Sequence, residues 1–142
     1  MLLGEFPIDP LLPRLRDSLV PGATVLLQSP PGAGKTTRVP LALLGEIAGT
    51  EPLPGRSLML EPRRLAARAA ATRLAVSLKE PLGERVGYSV RNEHKRSSRT
   101  LIEAMTDGLF LRRLQNDPEL TGISCVIFDE FHERSRNSEL AL

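Results

Sequence analysis

The chain holds 142 residues, 41% of them hydrophobic and 25% charged, with a net charge of +2. That length and balance suit one globular domain with a real core and exclude global disorder. No apolar run reaches the ~18 residues a membrane span needs, and Glu5, Pro7, Asp9 and Pro10 stand where a secretory signal would place a basic and then an apolar run.

Residues 9–19 predict a short helix interrupted early by Pro13. Val25 to Gln28 reads as a buried strand. A Gly/Pro-rich turn follows, then an apolar helix from Lys35 to about Ile47. Gly49 to Arg56 holds two prolines and two glycines and reads as a loop. Ser57 to Glu61 is a second strand. Arg63 to about Lys79 is rich in Ala, Leu and Arg, all strong helix formers, and Pro81 and Gly83 end it.

Val86 to Val90 predicts a short strand, Asn92 to Arg99 a polar loop, and Thr100 to Met105 another strand. Asp107 to Gln115 predicts an amphipathic helix with Leu109, Phe110, Leu111 and Leu114 apolar, stopped by Asn116-Asp117-Pro118. Cys125 to Phe128 is continuously apolar, the pattern of a strand buried on both faces. Glu133 to Leu142 reads as the start of one more helix. Strands alternating with helices predict an α/β fold with a mostly parallel sheet. No repeat, low-complexity tract or internal linker suggests a domain boundary. The last residues, Leu140-Ala141-Leu142, are apolar where domain ends are usually exposed and polar, so the chain reads as a fragment.

Four segments carry chemistry. The first is Ser29-Pro30-Pro31-Gly32-Ala33-Gly34-Lys35-Thr36-Thr37, which follows a strand and opens a helix, the context of a phosphate-binding loop. A triphosphate needs several donors converging on its oxygens. Successive backbone N–H groups in a tight turn supply them, and the helix N-terminus adds positive potential. Gly32 and Gly34 permit the backbone angles and the close approach. Lys35 would reach the β- and γ-phosphates, and the Thr36 hydroxyl can ligate Mg²⁺. Ser29 departs from the glycine that usually opens the pattern, at a position that shapes the turn.

The second segment is Phe128-Asp129-Glu130-Phe131-His132, at a strand's carboxyl end, where ligands of open α/β sheets sit. Asp129 can hold Mg²⁺ and Glu130 can act as general base on an attacking water. The third is Glu61-Pro62-Arg63-Arg64, where two arginines open a helix. They suit a phosphate, but without further context a solvated basic helix start is favoured; Arg68 shares the face of Arg64 and Arg73 is offset, and for both a charged helix face is favoured on sequence alone. The fourth is Thr106-Asp107-Gly108, read evenly as a helix N-cap or as a functional turn.

Other constellations fail. Gly87-Tyr88-Ser89-Val90-Arg91 lacks the second glycine of a nucleophile elbow. Aromatic content is 4%, without tryptophan, too little for a base-stacking platform. His94 reads as an exposed loop residue and Cys125 as core. One cysteine excludes an internal disulfide and fits a reducing, cytoplasmic setting. One cysteine and two distant histidines make no zinc cluster.

In order, SPPGAGKTT, LEPRRLAARAAA, VGYSVR, MTDGLFLRRL and VIFDEFHERS resemble motifs I, Ia, the glycine–tyrosine strand, Ib and II of DEAH-box helicases, in the wording of the bacterial HrpB type. The resemblance covers about residues 20–142. It implies a P-loop, RecA-like fold, here a partial first motor domain, and an ATP- and Mg²⁺-dependent helicase acting on RNA or DNA. Ser29 to Thr37 would bind the nucleotide phosphates, with Lys35 catalytic. Thr36 and Asp129 would hold Mg²⁺, Glu130 would activate water, and His132 would couple hydrolysis to the rest of the machine.

Arg63, Arg64 and Thr106 would touch the nucleic-acid backbone, and Arg73 matches a position that stacks on the nucleotide base. Phe131 stands where the family motif often has alanine. The family's Ser-Ala-Thr strand, which lies between the P-loop strand and the Asp-Glu strand, is not among these residues. Nor is the second RecA-like domain with its arginine fingers, worth ~10³–10⁵ in rate. The implied sheet therefore has a central gap, with the P-loop and Asp-Glu strands about 10 Å apart. Nucleotide binding with hardly any turnover is expected. Another P-loop NTPase, such as a small-molecule kinase, or a non-catalytic binding remnant are the alternatives.

Overall fold

The N-terminal residues fold as a 3₁₀ turn, Asp9–Leu11, running into helix α1, Leu12–Ser18; helix α2 is Lys35–Leu43. These belong to one compact unit that ends at Pro54, and a second unit begins at Gly55. The break falls inside the Gly/Pro-rich loop of residues 49–56. The computed structural model describes residues 6–28 and 34–129.

In the first unit, α1 packs on α2. Ile8, Leu12, Leu41, Ala42, Leu43 and Ile47 are buried. The helix expected to run to Ile47 stops at Leu43 for a definable reason. Gly45 takes φ 76°, its N–H donates to the carbonyl of Ala42, and that of Glu46 donates to Leu41. This is the paired closure that a left-handed glycine makes past a helix end. A side chain at Gly45 would also meet the Pro52 ring at 2.7 Å.

The strand expected at Val25–Gln28 does not form. Residues 23–28 are irregular and join no strand, and Val25 and Leu26 are exposed. An apolar run becomes a strand only where ladder partners and covered faces await it. Among the described residues, 23–28 have no ladder partner.

The second unit is built on strands β1 (Arg56–Glu61), β2 (Val86–Val90), β3 (Glu93–Lys95), β4 (Ile102–Thr106) and β5 (Ile123–Phe128), in the order β3-β2-β4-β1-β5. β2, β4, β1 and β5 are parallel; β3 alone pairs antiparallel, with β2. Helix α3, Arg64–Leu78, packs against β2, β4 and β1, and helix α4, Asp107–Asn116, against β4 and β1. Side chains alternate across a strand. Leu58, Leu60 and Met105 thus form one core with Phe110 of α4, while Tyr88 lies on the opposite face beneath Arg68 of α3.

Two expectations are corrected here. The loop predicted at residues 92–99 contains β3, entered by a two-residue turn in which Asn92 holds φ 65°. Asn tolerates that left-handed region better than most residues. β5 is not buried on both faces: its residues are half-buried or exposed, Cys125 among the half-buried. Among the described residues it is the last strand of the sheet, paired only with β1. Burial still raises the Cys125 thiol pKa.

Gly87 lies in β2 beside the end of β3, one residue before Tyr88, which pairs with Lys95. A Cβ there would collide with the carbonyl oxygen of Lys95, a backbone atom that cannot rotate away. Gly87→Ala should therefore cost about 1–3 kcal/mol, read as a lower urea midpoint. An unchanged midpoint would show that β3 moves aside without cost.

Candidate nucleotide and nucleic-acid site

Gly34 is the N-cap of α2, with φ 95° and ψ 15°. This left-handed conformation suits glycine and turns the chain into the helix. Lys35, Thr36 and Thr37 form the first turn, and the Arg38 N–H donates to the Gly34 carbonyl at 2.8 Å. The three residues before Arg38 lie where helix geometry supplies no intrahelical acceptor, the arrangement that favours anions. All three are half-buried. The remainder of this candidate loop, Ser29 to Ala33, lies outside the described residues.

What holds this helix start was not legible in the sequence. Arg38 is buried and grips Asp9 with two donors, Nε to Oδ1 at 2.9 Å and Nη2 to Oδ2 at 2.8 Å. The Phe6 backbone N–H also donates to Asp9 Oδ2, at 3.1 Å. The guanidinium lies 4.8 Å from the centre of the Phe6 ring. A Cβ at Gly34 would come within 2.6 Å of that ring. Gly34 is thus required twice, by its backbone angle and by the aromatic ring beside it. The Arg38 hydrogen bond holds the Asp9 carboxyl below the usual carboxylate range, against the opposing effect of burial.

In the second unit the other candidates gather at the carboxyl ends of neighbouring parallel strands. Glu61, the last residue of β1, pairs in register with Thr106, the last of β4, and Leu60 pairs with Phe128 of β5. Arg63 and Arg64 follow β1, and Asp129 follows β5. Asp129 is buried, and its N–H donates to the Leu60 carbonyl at 3.4 Å. One sheet end therefore presents a carboxylate, two arginines and a threonine, at the edge where α/β sheets bind ligands.

Arg63 is the extended N-cap of α3, without a side-chain cap bond. Thr106 occupies the N-cap of α4, and its hydroxyl makes no capping bond either. The N-cap position expected of this segment is thus taken by Thr106, without a side-chain capping bond. Arg73 stands on the exposed face of α3, about two and a half turns beyond Arg64, away from the strand ends. Glu130, Phe131 and His132 lie outside the described residues. His94 is exposed, on β3.

Among the described residues no group of three or more His, Cys, Asp or Glu could hold a metal ion. Mg²⁺ is held through one or two protein oxygens together with substrate phosphates. Thr36, in the first unit, and Asp129, in the second, each carry a hard oxygen of the kind it prefers. No described helix is long and apolar enough to cross a membrane.

Sequence reasoning also missed Glu93. It lies on β3, 3.6 Å from both Arg64 and Arg68, and accepts a short hydrogen bond from the Tyr88 hydroxyl. That bond lowers the Glu93 pKa and raises that of Tyr88. The one available signal was Asn92, a turn residue folding the chain back along β2.

A family model described as DEAD/DEAH box helicase matches residues 14–140. The ATP-dependent RNA helicase HrpB of Escherichia coli is 44% identical over 99% of this chain, which spans 17% of that relative's length. The DExH-box ATP-dependent RNA helicase DExH1 of Arabidopsis thaliana is 36% identical over 97% of the chain, which spans 14% of it. The crystal structure of the Escherichia coli DEAH/RHA helicase HrpB superposes with a TM-score of 0.84 at 45% identity, covering 96% of this chain and 17% of that one.

Proposed function

This chain belongs to the DEAD/DEAH box helicase family and has its RecA-like fold, and we propose that it is the nucleotide-binding part of the first motor domain of an ATP-dependent RNA or DNA helicase. The observation that carries the reading is the start of α2. A left-handed Gly34 there delivers Lys35, Thr36 and Thr37 to a helix N-terminus, the geometry that cradles a polyphosphate.

In this reading the backbone of residues 29–37 binds the phosphates. The Lys35 ammonium neutralises charge on the β- and γ-oxygens. Thr36 and Asp129 would hold Mg²⁺, which would supply charge neutralisation at the phosphates. Glu130 takes the proton of the attacking water as general base, and His132 relays the event. Arg73 flanks the nucleotide base. Arg63, Arg64 and Thr106 bind the backbone of a single strand, which tells the protein nothing of its sequence.

The chain spans 17% of the length of its Escherichia coli HrpB relative. By itself so small a share of such a helicase binds Mg-nucleotide and turns it over hardly at all. Calorimetric titration with ADP and Mg²⁺ tests the reading. The chain should bind and Lys35→Ala should lose at least about tenfold in affinity, the loss of one charge-assisted contact. Equal binding by both proteins would refute the assignment of Lys35. Robust polynucleotide-stimulated turnover would refute the claim of a poorly active chain.

A further inference from the structure

Arg64 and Arg68 lie one helical turn apart on α3, on the same side. Their guanidinium groups converge on one carboxylate, that of Glu93 on the antiparallel strand β3, each at 3.6 Å. Between them Leu65 is largely exposed, so the surface is open to solvent and to a ligand. The Arg68 guanidinium also lies over the Tyr88 ring, 5.8 Å from its centre. Resting on the nucleic-acid reading above, we propose that Arg68 is a further phosphodiester contact for a single strand, paired with Arg64, and that Glu93 is a built-in competitor occupying the phosphate's place in the free protein.

The chemistry is specific. A carboxylate facing two arginines presents oxygens to paired forks much as a phosphodiester does. The ion pairs it makes are long and solvent-exposed, and such pairs are weak. The Tyr88 hydroxyl hydrogen-bonds the same carboxylate. When an incoming phosphate takes the guanidinium groups, Glu93 keeps that partner and is not left bare. The exchange therefore strands no polar group, and its cost is the repulsion between carboxylate and phosphate. Arg64 stands at the opening of α3, just past the carboxyl end of β1. Arg68 extends the track one turn along the helix, away from the strand ends.

Binding of oligouridylate and oligothymidylate of equal length, followed by fluorescence anisotropy across a salt series, tests this. Arg68→Ala should weaken both, about 3–10-fold at low salt, and lower the slope of log affinity against log salt by about 0.7, the loss of one single-strand phosphate contact. Glu93→Gln keeps the Tyr88 hydrogen bond and removes the charge, and it should tighten both by a similar factor. In the double variant the gain from Glu93→Gln should shrink to the part that acts through Arg64, a coupling that a merely structural role for Glu93 would not produce.

Weaker binding by Glu93→Gln, or an unchanged salt slope in Arg68→Ala, would overturn the proposal. A response confined to one of the two oligonucleotides would overturn the phosphodiester assignment. If Arg63→Ala loses binding while Arg68→Ala and Glu93→Gln match the parent chain, the nucleic-acid reading stands and only this proposal falls. Failure of the parent chain to bind either oligonucleotide would bring down that reading and this proposal with it.

Discussion

Asp9→Ala should destabilise the N-terminal unit by about 3–5 kcal/mol, and Arg38→Met should cost distinctly less. The asymmetry follows from which partner is buried. The Arg38 side chain is 5% exposed and that of Asp9 17%. Without Asp9 a guanidinium remains inside, beside an aromatic ring that replaces only part of the lost interaction. Without Arg38 the carboxylate keeps the Phe6 N–H and can reach water. Urea denaturation of the two variants checks this, and equal costs would show that the pair does not organise the start of α2.

The same pair sets a pH dependence. The folded Asp9 pKa lies below its unfolded value near 3.8. Its contribution is therefore complete above that value and is lost as pH falls through the folded pKa. Asp9→Ala should remove this part of the acid limb of the stability profile. Nucleotide affinity should suffer too, because Asp9, Arg38 and Phe6 together brace the glycine from which Lys35 and Thr36 emerge.

Local patterns made most of the sheet and its helices legible. The apolar runs around Leu58–Leu60 and Ile102–Met105 are strands because they pair in register, and Ala-rich residues 64–78 form a helix over them. The placement of Arg63, Arg64, Thr106 and Asp129 at strand ends also followed from sequence, since each comes directly after an apolar run or ends one. Three things were not legible. β3 is three residues long, too short for alternation to show. Val25–Gln28 has the composition of a strand, yet strand formation depends on neighbours, and composition does not state whether they are present. The side-chain pairs were hidden by sequence separation: Asp9 and Arg38 are 29 residues apart, and Arg56 and Glu103 are 47 apart.

That last pair carries the mirror image of the Asp9 argument. Arg56→Ala should cost about 3 kcal/mol, the lower part of the range for breaking a buried pair. Here the carboxylate is the buried member: the Glu103 side chain is 0% exposed and that of Arg56 23%. Arg56 Nη1 lies 3.3 Å from Glu103 Oε1, and its other nitrogens donate to the carbonyls of Thr100 at 3.0 Å and Ser97 at 3.4 Å. Removing it strips three hydrogen bonds from the start of β4 and from the turn before it.

Glu103 would keep the Ser89 hydroxyl and Arg96, whose Nη1 is 3.3 Å away. Those two partners hold the cost near 3 kcal/mol rather than 5. Glu103→Gln preserves shape and one acceptor and leaves two arginines that water can reach, so it should cost about 1–2 kcal/mol. Arg96→Ala removes the more exposed donor, 41% open to solvent, and should cost least. The order Arg56→Ala, Glu103→Gln, Arg96→Ala is the test, read from urea midpoints. A reversed order would mean that Glu103 reaches water once its partners go, and that the charge at the centre of this sheet is tolerated without them.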